Sequence, residues 1–227
     1  MKNILILGRG KSLKYISRLR PEDYDLCFIV NNFQNEIEIS HDLLSFLTKS
    51  KKLIQIVGRD RLGIMNQKYY NYLKIENVVL NVLREEYFGS SPFNHQSVIK
   101  SYLDSLGIQS SYLPKQILKY CEYPKIQNGK APFPTTGICC LGYVLSSYRC
   151  KSITTLGIDF YKSDYFHCSI ITNNSKPTES QFKKGDRMID HMIKLVEVFN
   201  DVDFRILTSS GITNKKDIKN LTIKNLK

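Results

Sequence analysis

No apolar run in this chain approaches the roughly 20 residues that cross a bilayer. The opening segment MKNILILGRGKS has only Ile4 to Leu7 uninterrupted, whereas a secretory core needs about 7 to 15 apolar residues. That segment predicts a strand, and the protein is expected to stay in the cytosol. Cysteine pairs at metal or redox spacing are also missing. The six cysteines, Cys27, Cys121, Cys139, Cys140, Cys150 and Cys168, include no Cys-x-x-Cys, and no histidine stands at zinc-finger spacing. Most lie in apolar surroundings and read as reduced, packed thiols, so no metal centre is expected. There is no internal repeat and no low-complexity segment. The loop after the first apolar run, Gly8-Arg9-Gly10-Lys11-Ser12, lacks Gly-x-Gly-x-x-Gly because Leu13 follows, and Gly10-Lys11-Ser12 lacks the Walker spacing. A single nucleotide suits such a loop better than NAD or ATP.

What is present describes an ordinary folded chain. It has 227 residues, 42% hydrophobic and 24% charged, which suits one domain with a well-filled core. The net charge of +12 asks for an anionic partner. The charges are spread along the chain with no nucleic-acid motif, so nucleic acid is not expected. One local excess is the C-terminal segment 212–227, where Lys215, Lys216, Lys219, Lys224 and Lys227 oppose Asp217 alone. It reads either as a solvated tail or as a peripheral contact with the anionic inner leaflet.

Strand-like apolar runs alternate with helical patterns. Ile4 to Leu7, Leu26 to Val30, Leu53 to Val57, Asn77 to Leu80, Ser152 to Leu156 and Phe204 to Leu207 read as strands. Helices are predicted from about Ser12, over His41 to Leu47, Ile138 to Ser147 and Ser180 to Val198. This order predicts an α/β fold, a single Rossmann-like domain over 1–211 with a mostly parallel sheet. A small lid or acceptor-side subdomain is placed within 85–130 or 162–180, where turn residues dominate. In such a sheet ligands bind beyond the carboxyl ends of the strands. The candidates are therefore Gly8, Arg9, Gly10 and Ser12, Asn31-Asn32, Gly58-Arg59, and Gly157-Ile158-Asp159-Phe160-Tyr161. Glycines let a phosphate or sugar approach the backbone, and Ser12 can cap the next helix. The stretch Thr135-Thr136-Gly137 opens an apolar helix with more hydroxyls than one cap requires.

Three blocks, ILILGRGKSLKYI, YDLCFIVNNF and PTTGICCLGYVLSSYRCKSITTLGIDFY, resemble the bacterial sialyltransferases of glycosyltransferase family 42. The resemblance implies a Rossmann-like GT-A variant with a lid, metal-independent and without cofactor. It implies inverting transfer of sialic acid, or a related nonulosonic acid, from a CMP-sugar donor to a galactose-terminated bacterial surface glycan. By the same resemblance Thr135, Thr136 and Gly137 meet the sugar carboxylate, Asn31 with Gly8 and Gly10 contacts the nucleotide, and Gly157, Asp159 and Phe160 line the cytidine site. Tyr161 and Tyr165 hydrogen-bond the departing phosphate. Hydroxyls and free N–H groups at a helix start suit a carboxylate on physical grounds alone.

The chain departs from that pattern in three places. Arg9 replaces the usual asparagine, as a cation for the donor phosphate or for solvent. The arginine before the threonines is missing, with Lys130 the closest cation. No histidine stands just before the late helix, which leaves His191, His167, Glu179 and Asp186 as candidate bases, while His41 and His95 lack a motif. A Kdo or pseudaminic acid transferase and a non-catalytic nucleotide- or nucleic-acid-binding module are the alternatives. Oligomeric state stays open, a homo-oligomer included.

Overall fold

Continuous apolar runs become the middle of the sheet because a parallel strand covered on both faces has no polar side to offer. In the computed structural model β1 (Lys2–Leu7), β2 (Leu26–Val30), β3 (Leu53–Val57) and β4 (Asn77–Leu80) pair in sequence, and β5 (Ser110–Tyr112) closes that edge. β6 (Cys150–Leu156) then pairs with the other side of β1, followed by β7 (Asp203–Thr208) and β8 (Leu221–Asn225). All eight strands are parallel in the order β5-β4-β3-β2-β1-β6-β7-β8. The direction of winding reverses between β1 and β6, which is where an open α/β sheet leaves its crevice. The structure describes residues 1–58, 64–81, 93–114, 117, 135–160, 179–213 and 217–227, with backbone alone for 93–97, 179–184, 186 and 187.

Helices cover both faces. On one, α5 (Thr136–Ser147) and α6 (Glu179–Val198) bury Ile138, Leu141, Val144, Met192 and Leu195 against Ile4, Ile6, Phe28 and Phe204. On the other lie α1 (Gln34–Ile39), α2 (His41–Lys49), α3 (Gln67–Leu73), α4 (Phe93–Ser105) and a 3₁₀ helix, Lys11–Arg18. Their Leu13, Leu43, Tyr70 and Leu103 pack with Leu5, Leu7, Ile29 and Val78. Each fully buried side chain of this size contributes about 1.5–3 kcal/mol. No helix among the described residues is long and apolar enough to cross a membrane.

Three expectations need correction. The helix expected from Ser12 is 3₁₀, with a non-helical residue at Tyr15. α4 and β5 fall inside 85–130, and β5 pairs with β4, so this part of the expected lid belongs to the main sheet. The remainder of 85–130, apart from Leu113, Pro114, Ile117 and the residues flanking α4 and β5, lies outside the described residues, as does nearly all of 162–180. The C-terminal segment is not a tail. Leu221–Asn225 pairs with β7 along its length, and Leu221 and Leu226 are buried.

Candidate functional site

At the reversal point the carboxyl ends of β1 and β6 touch backbone to backbone. The Gly8 N–H donates to the Leu156 carbonyl at 2.8 Å, and the Gly10 N–H donates to the Gly157 carbonyl at 2.7 Å. A Cβ on Gly8 would overlap the Gly157 carbonyl, and a Cβ on Gly157 would overlap that of Gly8. Gly157 also has φ +75°, which side chains rarely adopt. The Gly-x-Gly loop is thus glycine-rich to let two strand ends close on each other.

Asp159 and Ser12 lock the same junction. The Asp159 carboxylate accepts from the Ser12 N–H (2.8 Å), Ser12 Oγ (2.7 Å) and Thr208 Oγ1 (2.8 Å). It also accepts from the Ser209 N–H at 3.3 Å and Ser209 Oγ at 3.4 Å. Ser12 Oγ in turn accepts from the Gly157 N–H at 2.9 Å. A buried carboxylate is tolerable only with such a set of donors, and this one ties β1, β6 and β7 together. Asp159 therefore acts as an internal strut, and Ser12 caps no helix. Phe160 is buried in the core at 2% exposure with φ +53°. A phenylalanine in the left-handed region is strained, and it sits where the chain turns away from β6 toward residue 161.

The open part of the edge lies over β2 and β3. Asn31 follows β2 with φ +67°, a conformation asparagine accepts more readily than most residues. Its Oδ1 accepts from the Gly58 N–H at 2.9 Å, and its backbone carbonyl accepts from Gln55 Nε2 at 2.9 Å. Because an N–H points at one end of the amide, that end must be oxygen, and the amide NH₂ faces away with no partner among the described residues. The start of α5 meets this group. A Cβ on Gly58 would lie 2.8 Å from Thr136 Oγ1 and 3.0 Å from Asn31 Oδ1. Ile158 reaches across from β6, its Cδ1 at 3.7 Å from where a Gly137 Cβ would be.

α5 begins without a side-chain cap. Thr135 holds the N-cap position with extended backbone, but its hydroxyl donates to Met188 Sδ of α6 at 3.5 Å. The Thr136 and Gly137 N–H groups have no partner among the described residues, nor does the Thr136 hydroxyl. These N–H groups and the Thr136 hydroxyl form a neutral donor cluster at the positive end of a 12-residue helix, with Asn31 beside it across Gly58. Such a cluster can hold a carboxylate or phosphate.

The remaining expectations distribute as follows. Arg9 does not reach this cluster freely; its Nε donates to the carboxylate of Glu36 on α1 at 2.7 Å, and Glu36 is fully buried. His191 is 7% exposed on α6, three residues beyond Met188 and so on the same helix face. A surface position for His191 is thereby removed. His41 is exposed at the start of α2. Tyr161, Tyr165, His167 and Lys130 lie outside the described residues, as do the side chains of Glu179, Asp186 and His95. Sequence reasoning missed Gln55, Glu36 and Thr208. Each carried the same faint signal, a polar residue where an apolar neighbourhood leads to burial; Gln55 is the one polar residue in the strand LIQIV. Compared with protein-family models, curated proteins and solved structures, the chain matches none.

Proposed function

We propose that the edge formed by Asn31, Gly58 and the start of α5 binds a CMP-activated sugar acid, and that the protein transfers sialic acid or a related nonulosonic acid to a galactose-terminated surface glycan. The observation that carries this reading is the meeting of Asn31, Gly58 and Thr136, which are distant in sequence, around a set of unspent neutral donors. A CMP-sugar acid presents two anions, the carboxylate on its anomeric carbon and the phosphate beside it. The α5 start suits the carboxylate, and the Asn31 amide reaches the nucleotide side of the same edge. Loss of CMP leaves negative charge on phosphate, which hydroxyl donors such as Tyr161 and Tyr165 would stabilise. His191 or His167 would take the proton from the acceptor hydroxyl. Arg9 has no part in this scheme, since Glu36 already holds it. An acceptor carried on lipid would place the protein on the cytosolic face of the membrane.

The experiment is a thermal-shift series with CMP, UDP, CMP-sialic acid, CMP-Kdo and CMP-pseudaminic acid, followed by donor hydrolysis. A ligand at a hundred times its Kd adds about 2.7 kcal/mol to stability, or about 5–10 °C for a chain of this size. CMP and CMP-sialic acid should both produce that shift, UDP should not, and CMP-sialic acid should be hydrolysed. Binding of CMP without hydrolysis of any CMP-sugar would make this a nucleotide-binding module. The absence of a CMP shift would end the proposal.

A further inference from the structure

The 3₁₀ helix Lys11–Arg18 starts beside the candidate site and ends at the far edge of the sheet. Its first residue follows Gly10 at the carboxyl end of β1, and Arg18 Nη2 donates to the Lys227 carbonyl, just past β8, at 3.3 Å. Leu226 is buried in the same cluster as Leu13 and Ile16, which seats the end of β8 against this helix. The helix therefore runs laterally along the carboxyl margin. Lys11, Lys14 and Arg18 on it join Lys224 and Lys227 from the last strand. Lys14, Arg18, Lys224 and Lys227 are exposed and Lys11 is half-buried. Lys11, Lys14, Lys224 and Lys227 enter no ion pair among the described residues and Arg18 is held by the Lys227 backbone oxygen, whereas Arg20, Lys51, Lys52, Lys100 and Arg205 are each paired with an acid.

We infer that this cationic margin docks the protein on an anionic lipid surface with the candidate site at the membrane. These side-chain charges are of one sign and drawn from two elements, and a lipid leaflet needs no more exact geometry than that. Single-stranded nucleic acid fits less well, because it stacks bases on open aromatic faces. Among the described residues the ring in contact with these cations, Tyr15, is already covered by Lys14 at 4.8 Å and Arg18 at 4.4 Å. The inference goes beyond the donor reading and does not depend on it, since docking is measured without donor.

The test is sedimentation of the full chain with phosphatidylcholine vesicles containing 30% phosphatidylserine, beside pure phosphatidylcholine vesicles and poly(U). Each cation near such a surface contributes about fivefold to partitioning at low salt. The triple variant Lys14→Gln, Lys224→Gln, Lys227→Gln should lose about a hundredfold on the anionic vesicles. A second triple variant, Lys49→Gln, Lys68→Gln, Lys194→Gln, removes the same charge from exposed positions elsewhere and should lose far less. Melting temperatures of both should match the parent. Equal losses in the two variants would mean net charge alone and would overturn the docking face. Parent protein that ignores phosphatidylserine would overturn it too. So would a margin variant that loses poly(U) while keeping vesicles, which would make the partner nucleic acid. A docking failure with intact CMP binding leaves the donor reading standing, and the reverse result separates them equally well.

Discussion

Asn31 does two separable jobs, and substitution can part them. Aspartate keeps the acceptor for the Gly58 N–H and tolerates φ +67°, but it removes the NH₂ and adds charge beside a bound anion. Asn31→Asp should lower CMP affinity at least tenfold, as expected for a lost hydrogen bond to a charged group, with the melting temperature moved by only a few degrees. Calorimetric titration checks the first and a thermal melt the second. Asn31→Ala also loses the Gly58 bond and should cost about 1–3 kcal/mol of stability. Gly157→Ala differs in kind. Its Cβ overlaps the Gly8 carbonyl at a positive φ, so the β1 and β6 ends must separate and surrender their hydrogen bonds. A loss of about 3–5 kcal/mol in urea unfolding is expected, in the range reserved for strained backbone sites; a loss under about 1 kcal/mol would mean that the junction gives easily. At this scale the positions were legible and their bonding to one another was not. Gly8, Gly10, Ser12 and Asp159 sit at the reversal point as strand-end residues should, yet they bond to one another. Across the junction their bonds to one another and to Gly157 span 145 or more residues, a separation that no local pattern encodes.

The elements were most readable where apolar runs were continuous and least where the sheet ends. β1, β2, β3 and β4 each hold an uninterrupted or nearly uninterrupted apolar run. β5 has three residues, too short to signal, and β8 reads LTIKN, in which Lys224 and the surrounding lysines mask the alternation of Leu221 and Ile223. Edge strands are commonly short and lysine-bearing, because that discourages pairing with other chains. A polar tail and an edge strand therefore look alike in sequence. The distinction has a measurable consequence. Removing residues 212–227 strips β8 from β7 and exposes the sites of Leu221 and Leu226. The loss should be about 3–6 kcal/mol for those two side chains alone, with poor solubility as β7 becomes the edge. A truncated protein that unfolds at the parent's urea midpoint would contradict the strand assignment. At the start of α5, Thr136→Val keeps the shape and removes the hydroxyl. It should weaken CMP-sialic acid binding more than CMP binding, because the carboxylate is present only in the former, and competition titration reads the difference.

Across the whole molecule the buried thiols set an alkaline limit. Burial pushes Cys27 up to about 12 and Cys150 up to about 11, and Cys140 well above the ordinary thiol value of 9.0. In the unfolded chain these thiols ionise from about pH 9, while the folded protein keeps their protons. Stability is therefore complete below that pH and falls as pH rises toward the folded values. Between pH 9 and 10.5 the loss is about 2 kcal/mol for Cys27. Urea unfolding at pH 8 and pH 10.5 should show it, and Cys27→Ala should remove about 2 kcal/mol of the difference. The winding order has a consequence of another sort. β1 emerges first from the ribosome, yet one of its two neighbours, β6, begins at residue 150. Once β5 has been made, a ribosome adding about 5–20 residues per second needs on the order of 2–8 s to reach β6. Through that interval β2 to β5 can assemble against one side of β1 while its other side stays bare, a parallel edge in the centre of the future sheet. A nascent chain arrested before residue 150 should accordingly recruit chaperones or aggregate, and one arrested well beyond residue 208, with β6 and β7 outside the ribosome, should do neither.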